Sequence, residues 1–297
     1  MAMSPAVTVV RTPEELRPYA GCAFVPSMGA LHDGHASLLR RARATGLPVC
    51  LSVFVNPTQF GPNEDLARYP RTLDADLALA AAEGTTVAYV PTVDAIYPEG
   101  IEAANRLAAT LPLPEVATRP GLEDRCRPGH FAGVQLVVAR LFDAVRPRTA
   151  VFGEKDWQQL KLVEAMVRSE PDRWPGLTIV PSATIREPDG LARSSRNRYL
   201  RPADREQARG VPRALQLAHS AQRPATAERL MAETLEAHGF RVEYAVVRDA
   251  ETLLPVEGFD RPTRALIAAR LPQPAQGDQP AGAGVRLIDN AAMTVWR

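Results

Sequence analysis

The chain has 297 residues, enough for one large domain or two unequal ones. Its 45% hydrophobic and 23% charged residues are typical of a globular protein and exclude a disordered or coiled-coil chain. Because 35 basic residues nearly balance 34 acidic ones, the net charge of +1 provides no global attraction for nucleic acid or an anionic membrane. Any anion site must therefore be local, and we expect neither a nucleic-acid nor a membrane partner.

Targeting features and cysteines also narrow the class of protein. No apolar run approaches the roughly 18 residues needed to span a bilayer, and the N-terminus carries no basic segment followed by an apolar one. The three cysteines, Cys22, Cys50 and Cys126, are widely spaced and form no CxxC pattern. This spacing argues against disulfides, a zinc site or a catalytic thiol. We therefore expect a cytoplasmic protein without a metal site built by its own side chains.

In the first two thirds of the chain, short apolar runs rich in Val, Ile and Phe alternate with helical patterns. Strands are predicted at residues 22–26, 48–55, 86–91, 150–152 and 178–185. Helices are predicted between them at residues 36–45, 73–82, 134–145 and 157–168. Strands that alternate with helices indicate a parallel sheet with right-handed crossovers, so this part is predicted to have an α/β fold.

Beyond Pro202, the predicted helices and strands no longer alternate. Two helices are predicted at residues 203–221 and 226–237, the first broken near Gly210 and Pro212. Three strands follow, at residues 242–248, 264–271 and 285–289, with a mobile Pro/Gly-rich loop at residues 272–284. Clustered strands after clustered helices predict a smaller α+β domain with an antiparallel sheet.

The most specific motif is FVPSMGALHDGH, residues 24–35: a strand, a loop with Gly29 and Gly34, and an amphipathic helix. Such a loop directs the N-terminus of the helix and its free N–H groups at an anion. His32 and His35 place two imidazoles beside that position, where they can donate hydrogen bonds to a phosphate that gains charge. The motif predicts a nucleotidyl-transfer site, although both histidines can also be ordinary helix-start residues.

A second cluster, VFGEKDWQQL at residues 151–160, again follows a strand. Gly153 permits a turn and Lys155 offers a compact cation for phosphate. Asp156 can orient a ribose hydroxyl, accept from Lys155 or cap the following helix. Read alone, the cluster is equally compatible with a capped surface helix.

A third cluster, LARSSRN at residues 191–197, lies in a loop between the two predicted domains. Its two hydroxyls and the guanidinium of Arg196 can hold the outer phosphates of a nucleotide, and a solvated polar loop is the alternative. Gln59, in VNPTQF at residues 55–60, and Gln159 are neutral amides. Such groups can bind a hydroxy acid without placing a full positive charge on its carboxylate, which preserves the nucleophilicity of that oxygen.

Two further stretches leave alternatives open. The run RCRPGHF at residues 125–131 can be a lid over phosphates, or His130 can cap a helix start. Asp74 and Asp76 can assist Mg²⁺ through water, although capping of their helix is the simpler role.

Six strings in order resemble the pantoate–β-alanine ligase family: PSMGALHDGH, VFVNPTQF, RYPRTLDAD, RPGHFAGV, FGEKDWQQL and SSRN. The resemblance implies a Rossmann-like ATP- and pantoate-binding domain at residues 1–190, carrying a variant of the HIGH motif, and a smaller α+β lid domain at residues 191–297. It also implies a homodimer that condenses (R)-pantoate with β-alanine. ATP would be consumed through a pantoyl adenylate, AMP and pyrophosphate would be released, and Mg²⁺ would accompany the ATP.

The resemblance also implies roles for particular residues. His35, His32 and Lys155 would be catalytic, while Gln59 would contact pantoate and β-alanine and Gln159 would contact pantoate. The implied ATP contacts are Met28, Gly29, Ala30, Leu31, His32, Asp33, Gly34, His35, Gly153, Glu154, Lys155, Asp156, Ile185, Arg193, Ser194, Ser195 and Arg196.

The chain departs from the family pattern at Ser27, where Thr is usual, at Gln135, where Thr is common, and at Arg193, where Leu or Met is usual; only the last leaves open how a site loop packs. Two rival functions remain from sequence alone. A nucleotidylyltransferase would keep AMP on its product and need no amine, and a non-catalytic nucleotide-sensing module would not need His35.

Overall fold

The computed structural model describes residues 7–61, 66–273 and 284–293. It contains two compact units, the first running to Glu154 and resuming over Gln158–Ala183, the second holding Lys155–Trp157 and the chain from Thr184 onward. The predicted functional division at residues 190 and 191 stays a prediction. Residues 274–283 of the predicted Pro/Gly-rich loop lie outside the described residues.

Within its described residues, the first unit contains a six-stranded parallel sheet in the order β1-β4-β3-β2-β5-β6. The strands are β1 Thr8–Val10, β2 Ala23–Ser27, β3 Val49–Val53, β4 Val87–Tyr89, β5 Thr149–Gly153 and β6 Thr178–Ser182. The order from β4 to β6 is that of a Rossmann fold, with the reversal between β2 and β5. The predicted α/β fold is therefore confirmed, and β1, a three-residue edge strand, is an addition that was not predicted.

The helices associated with this sheet include all four that were predicted. They are α1 Pro13–Leu16, α2 Asp33–Arg43, α3 Leu73–Ala82, α4 Val93–Ile96, α5 Ile101–Thr110, α6 Glu123–Cys126, α7 His130–Val145 and α8 Trp157–Ser169. Short 3₁₀ helices include Pro57–Gln59, Glu154–Asp156 and Ser195–Tyr199, each of which carries residues of a predicted site motif.

The core beneath the site forms between α2 and the central strands. Leu39 and Ala42 of α2 are fully buried against Val25 and Leu51 of β2 and β3. Arg40 and Arg41 on the opposite face are exposed, so the helix has the amphipathic pattern expected from its sequence. Full burial of one such leucine stabilises the fold by about 1.5–3 kcal/mol. This packing fixes the start of α2 relative to the carboxyl ends of the strands.

Gly133 in α7 allows the helix to approach the loop that follows β3. A Cβ atom on Gly133 would lie 2.2 Å from the carbonyl oxygen of Thr58 and 2.7 Å from the nitrogen of Gln59. We expect Gly133→Ala to lower the free energy of unfolding by about 1–3 kcal/mol, because backbone must move. Denaturant titration measures this, with Gly258→Ala as control, since a Cβ on Gly258 would lie 3.9 Å from its nearest neighbour, an Asp260 oxygen. Equal stability of the two variants would contradict the close approach.

The second unit contains an antiparallel sheet of three strands, in the order β7-β8-β9, within the residues that are described. Its elements are α9 Pro202–Ala208, α10 Gly210–Ala218, α11 Pro224–Ala237, β7 Arg241–Asp249, β8 Thr263–Leu271 and β9 Val285–Met293. The predicted antiparallel sheet is confirmed, and so is the break between α9 and α10. Gly210 is required at that break, since a Cβ there would lie 2.7 Å from the His238 ring.

Asp204 gives the second unit a pH-dependent contribution to stability. Its carboxylate accepts hydrogen bonds from the Arg201 side chain at 2.7 Å, which lower its pKa to about 2. A depressed carboxyl pKa contributes stability above the ordinary value, and this contribution is lost as the pH falls towards 2. We expect the stability advantage of wild type over Asp204→Asn to shrink by about 1–2 kcal/mol between pH 5 and pH 2, allowing for the exposed Arg201.

The measurement for this prediction is denaturant titration at several pH values. Glu206→Gln is the matched control, because the Glu206 side chain is 74% exposed and its pair with Arg209 is screened by solvent. A difference between wild type and Asp204→Asn that is the same at pH 5 and pH 2 would contradict the assignment.

Candidate active site

The candidate site lies where the strand order of the parallel sheet reverses. In open α/β sheets, ligands bind outside the carboxyl ends of the strands at this switch point. β2 ends at Ser27, directly before the MGALHDGH loop, and β5 ends at Gly153, directly before Glu154. β3, the neighbour of β2, leads into the 3₁₀ helix Pro57–Gln59. Three of the predicted motifs therefore start from this edge of the sheet.

The loop after β2 has an unusual backbone conformation that is held by side chains. Gly29 and Ala30 both have positive φ, 87° and 51°. Gly29 donates its N–H to Ser27 Oγ at 2.9 Å. A Cβ on Gly29 would lie only 3.0 Å from Asp76 Oδ2, so the loop and this carboxylate are in close contact. Glycine is needed here for both its φ and its size.

Asp76 holds the loop from helix α3. The carboxylate is 2% exposed and accepts from the N–H groups of Ala30, at 3.0 Å, and Leu31, at 2.8 Å. Thr72 Oγ1 also donates to it, at 3.1 Å. Both sequence-based alternatives for Asp76, capping and Mg²⁺ binding, miss this role, because the acceptor and the loop are far apart in sequence. Asp74 remains an exposed residue in the first turn of α3.

His32 and His35 are brought together at the start of α2, with ring centroids 4.2 Å apart. His32 is the N-cap: its Nδ1 accepts from Gly34 N–H at 3.1 Å, and His35 Nδ1 accepts from His32 N–H at 3.3 Å. Because each Nδ1 is an acceptor, the neutral form of each ring carries its proton on Nε2. Both imidazoles can thus act as Nε2–H donors.

The expectation of free N–H groups in this loop is wrong for several of them. The N–H groups of Gly29, Ala30, Leu31, His32 and Gly34 all donate to side chains. The sharp turn brings these groups close to Ser27, Asp76 and the histidines, which satisfy them locally. Imidazole N–H groups, rather than these amides, are therefore the donors that this loop can offer an anion.

Gln59 is brought to the same loop. Its Nε2 donates to the sulfur of Met28 at 3.2 Å, and its Oε1 accepts from Asn56 Nδ2 at 3.0 Å. Asn56 is 1% exposed and its Oδ1 accepts from Tyr97 OH at 2.7 Å. Burial raises the pKa of Tyr97 to about 12, so the hydroxyl stays protonated and keeps donating. The amide that is predicted to bind the hydroxy acid is therefore oriented by a buried hydrogen-bond network.

His130 and Arg127, from the RPGHF stretch, support the Gln59 segment. A ring nitrogen of His130 is 3.0 Å from the carbonyl oxygen of Gln59, and the other is 2.9 Å from Arg127 Nη1. Gly129, without a side-chain cap, precedes α7. The interpretation of His130 as a cap is therefore wrong, since its ring bridges to a different segment.

Gln159 lies in the first turn of α8 with intermediate burial. Its neighbour Gln158 is 5% exposed and acts differently: it accepts from Glu123 N–H at 3.0 Å and donates to the carbonyl of Val116 at 2.8 Å. Of the two adjacent glutamines, Gln158 is therefore a buried structural residue, whereas Gln159 is partly exposed at the start of the helix.

Lys155, Asp156, Ile185 and Arg193–Arg196 belong to the second unit. Lys155 Nζ lies 3.7 Å from Asp156 Oδ1, with the two side chains 20% and 49% exposed. Because this distance is longer than a hydrogen bond, the two side chains form an ion pair, and the role of Asp156 stays a prediction. The predicted convergence of Lys155 with Gln59 and the histidine loop stays a prediction, because these residues lie in different units.

The loop at residues 191–197, here called the serine-arginine loop, begins at a short hairpin. Ile185 O accepts from Arg193 N–H at 2.8 Å, so the backbone of Ile185, one of the predicted ATP contacts, also closes the hairpin. Arg193 Nη1 lies 3.2 Å from Glu187 Oε1, which also accepts from Asn197 Nδ2 at 2.6 Å. Although burial opposes it, hydrogen bonds from Asn197 and Arg205 lower the pKa of Glu187. The unusual Arg193 therefore packs the loop against a carboxylate.

Ser194 caps the 3₁₀ helix that carries the rest of this loop. Its Oγ accepts from Arg196 N–H at 3.3 Å. This leaves Ser195 and Arg196 at the start of the helix, both with intermediate burial.

Metal ligands are limited in the described ranges. No cluster of three or more His, Cys, Asp or Glu side chains there is placed to hold a metal ion. Mg²⁺ bound to a nucleotide takes most of its ligands from phosphates and water, with one or two carboxylates. Whether the exposed Asp74 assists Mg²⁺ stays a prediction, whereas the Asp76 carboxylate is occupied by three donors. Across residues 7–61, 66–273 and 284–293, no helix has the length and apolar character needed to cross a bilayer.

Together, the fold and the site define a Rossmann-like α/β protein whose switch point presents a histidine-bearing loop suited to an anionic ligand. The family model for pantoate-beta-alanine ligase matches residues 6–292. The chain belongs to this family and is a ligase.

Individual relatives agree with the family match. The chain is 46% identical to a pantothenate synthetase from Rubrobacter xylanophilus, covering 98% of this chain and all of that one. A crystal structure of pantothenate synthetase from Thermus thermophilus is 40% identical, with a TM-score of 0.83, covering 96% and 99% of the two chains. The pantoate-beta-alanine ligase from Francisella tularensis, solved with beta-gamma ATP and beta-alanine, is 30% identical with a TM-score of 0.72, covering 96% and 97%.

Proposed function

We propose that this ligase joins (R)-pantoate to β-alanine in two steps at the described switch point. The pantoate carboxylate attacks the α-phosphorus of ATP, which forms pantoyl adenylate and releases pyrophosphate. The β-alanine amine then attacks the activated carbonyl, forms the amide and releases AMP. Family membership supports pantoate and β-alanine as substrates, and the Francisella structure with beta-gamma ATP and beta-alanine supports the nucleotide and the amine. The observation that carries the proposal is the paired imidazoles at the start of α2.

His35 and His32 would stabilise the first transition state. Each ring accepts through Nδ1 and so can donate from Nε2 to a phosphate oxygen. Charge develops on the phosphoryl oxygens as pyrophosphate leaves, so these donors would stabilise the transition state more than bound ATP. The bonds to Gly34 and His32 keep both rings in place before ATP arrives.

Gln59 and Gln159 would hold pantoate. The network through Asn56 and Tyr97 fixes the Gln59 amide without adding a positive charge. A neutral amide leaves the carboxylate oxygen more nucleophilic than an arginine would, because less of its charge is neutralised in the ground state.

Lys155, Ser195 and Arg196 would bind the outer phosphates and the pyrophosphate that leaves. Lys155 offers a compact cation, and Arg196 a planar fork of donors. Mg²⁺ would accompany ATP and, when bound, neutralise part of the phosphate charge. The remaining contacts proposed for ATP are those assigned from the resemblance, including Ile185 and Arg193–Arg196.

The direct test measures AMP release with pantoate, β-alanine and ATP, each omitted in turn. The proposal expects release only when all three are present, with pantothenate formed in equal amount. Repeated turnover without an amine, with AMP retained on a released pantoate product, would instead indicate a nucleotidylyltransferase. ATP binding without turnover would indicate a sensing module.

We also propose a cytoplasmic location and a homodimer. The location is supported by Cys22, Cys50 and Cys126, which form no disulfide in the structure, as expected in a reducing compartment. The homodimer is supported by the family resemblance alone. Light scattering during gel filtration should give twice the chain mass of 32.3 kDa, and a mass of one chain would contradict the proposal.

A further inference from the structure

The short segment Lys155–Trp157 belongs to the second unit, where it contacts residues of the antiparallel sheet. We propose that Asn290 and Asp289 of β9 are positioning residues that fix both phosphate-contact segments, the one at Lys155 and the one at Arg193–Arg196. The inference rests on the proposed function, in which these segments meet the polyphosphate. No motif in the sequence marks β9 as part of the site.

Asn290 holds the backbone of Lys155 directly. Its Nδ2 donates to the Lys155 carbonyl oxygen at 2.8 Å, and its Oδ1 accepts from Arg264 Nε at 2.5 Å. Asn290 is 3% exposed, so neither bond is readily replaced by water. Since both ends of the amide are used, rotation of the side chain would break two hydrogen bonds. The Lys155 peptide is therefore fixed in position.

Arg264 extends this contact to Trp157. The guanidinium carbon lies 3.5 Å from the centre of the Trp157 ring, a cation–π arrangement, and Arg264 is 7% exposed. At the ring edge, Trp157 Nε1 donates to the Ala250 carbonyl at 3.0 Å. The residues on both sides of Asp156 are thus anchored, which limits the freedom of Lys155 to rotation of its own side chain.

Asp289, the residue before Asn290, anchors the other segment. Its carboxylate is 2% exposed and accepts from Arg186 Nη1 at 2.7 Å and Nη2 at 3.1 Å. Arg186 lies in the hairpin that leads into the serine-arginine loop, where it pairs across to Ala192. Adjacent residues of one strand therefore anchor both segments that carry the proposed phosphate contacts.

The functional consequence is preorganisation. A lysine and an arginine on flexible segments would lose conformational freedom on meeting a polyphosphate, and this loss would weaken binding. Segments already fixed to the antiparallel sheet of the second unit avoid most of this loss. A displacement of about 1 Å in such a contact can lower a rate by about a hundredfold, so anchoring at β9 should be visible in turnover.

The test compares Asn290→Ala and Asn290→Asp in the full chain. The aspartate can still accept from Arg264 but cannot donate to the Lys155 carbonyl, so it isolates that one bond. We expect both variants to lower the rate of AMP release by about tenfold to a hundredfold. Arg286→Ala is the matched control: Arg286 lies in the same strand and pairs with Glu243 at 2.7 Å. It should lose stability without this loss of rate.

A double-mutant cycle separates positioning from general destabilisation. If Asn290 acts through Lys155, Asn290→Ala should have little further effect on turnover or on ATP affinity in a Lys155→Ala background. The same loss in both backgrounds, or wild-type turnover in Asn290→Asp, would overturn the inference. A wild-type protein that releases no AMP would instead refute the proposed function, so the two failures are distinguishable.

Discussion

Replacing His35 with alanine should lower the rate of AMP release by about a hundredfold to a thousandfold while ATP binding changes far less. The Nε2–H donor that His35 presents, with its Nδ1 engaged by His32 N–H, acts on charge that appears mainly in the transition state. Loss of one such donor typically costs a factor of this size. Steady-state kinetics gives the rate, and calorimetry gives the dissociation constant of ATP.

His219→Ala provides the control for this experiment. His219 bridges the carbonyl groups of Leu215 and Ala292 within the second unit and is not part of any predicted motif in the sequence. Its loss should reduce stability but leave the rate of the folded enzyme close to that of wild type. An equal loss of rate in the two variants, or an unchanged rate in His35→Ala, would contradict the role of His35.

Asp76→Asn is the second substitution with a large expected effect. Asparagine has one acceptor oxygen, so its amide nitrogen would face the N–H of Ala30 or Leu31. We expect a loss of about 1–3 kcal/mol in the free energy of unfolding from this buried mismatch. The loop that carries His32 and His35 would also shift, so kcat/KM for ATP should fall by about tenfold to a hundredfold.

Asp94→Asn serves as the matched variant, because Asp94 is an exposed carboxylate in the first turn of α4. It should change stability by less than about 0.5 kcal/mol and leave the kinetics unchanged. Denaturant titration and initial-rate kinetics on both variants give the comparison. Wild-type kinetics in Asp76→Asn would show that the carboxylate does not position the loop.

Strong local patterns were sufficient to predict most elements of the fold. Helix α3 has the predicted bounds, and the break at Gly210 follows from residue types that interrupt a helix. β1 was not predicted because three residues carry too little periodicity, and α5 because alanines such as Ala104 and Ala108 supply its buried face. The strand order itself depends on contacts between segments far apart in sequence.

For the candidate site, too, the motifs could be predicted from the sequence, but the long-range contacts could not. The histidine pair, Gln59 and Lys155 stand in motifs that can be found in the sequence. The contacts that orient these residues cannot be found in this way, because they join segments far apart in sequence. Asp76 is 46 residues from Ala30, and Asn290 is 135 residues from Lys155. Tyr97 is likewise an ordinary aromatic residue in sequence, and only burial beside Asn56 gives it a role.

The central claim is that the carboxylate of pantoate is activated as an acyl adenylate at the loop before α2. Exchange of labelled pyrophosphate into ATP, measured without β-alanine, tests this step alone. We predict exchange that requires pantoate and is greatly reduced in His35→Ala. Exchange that proceeds without pantoate, or no exchange in a protein that forms pantothenate, would contradict the account.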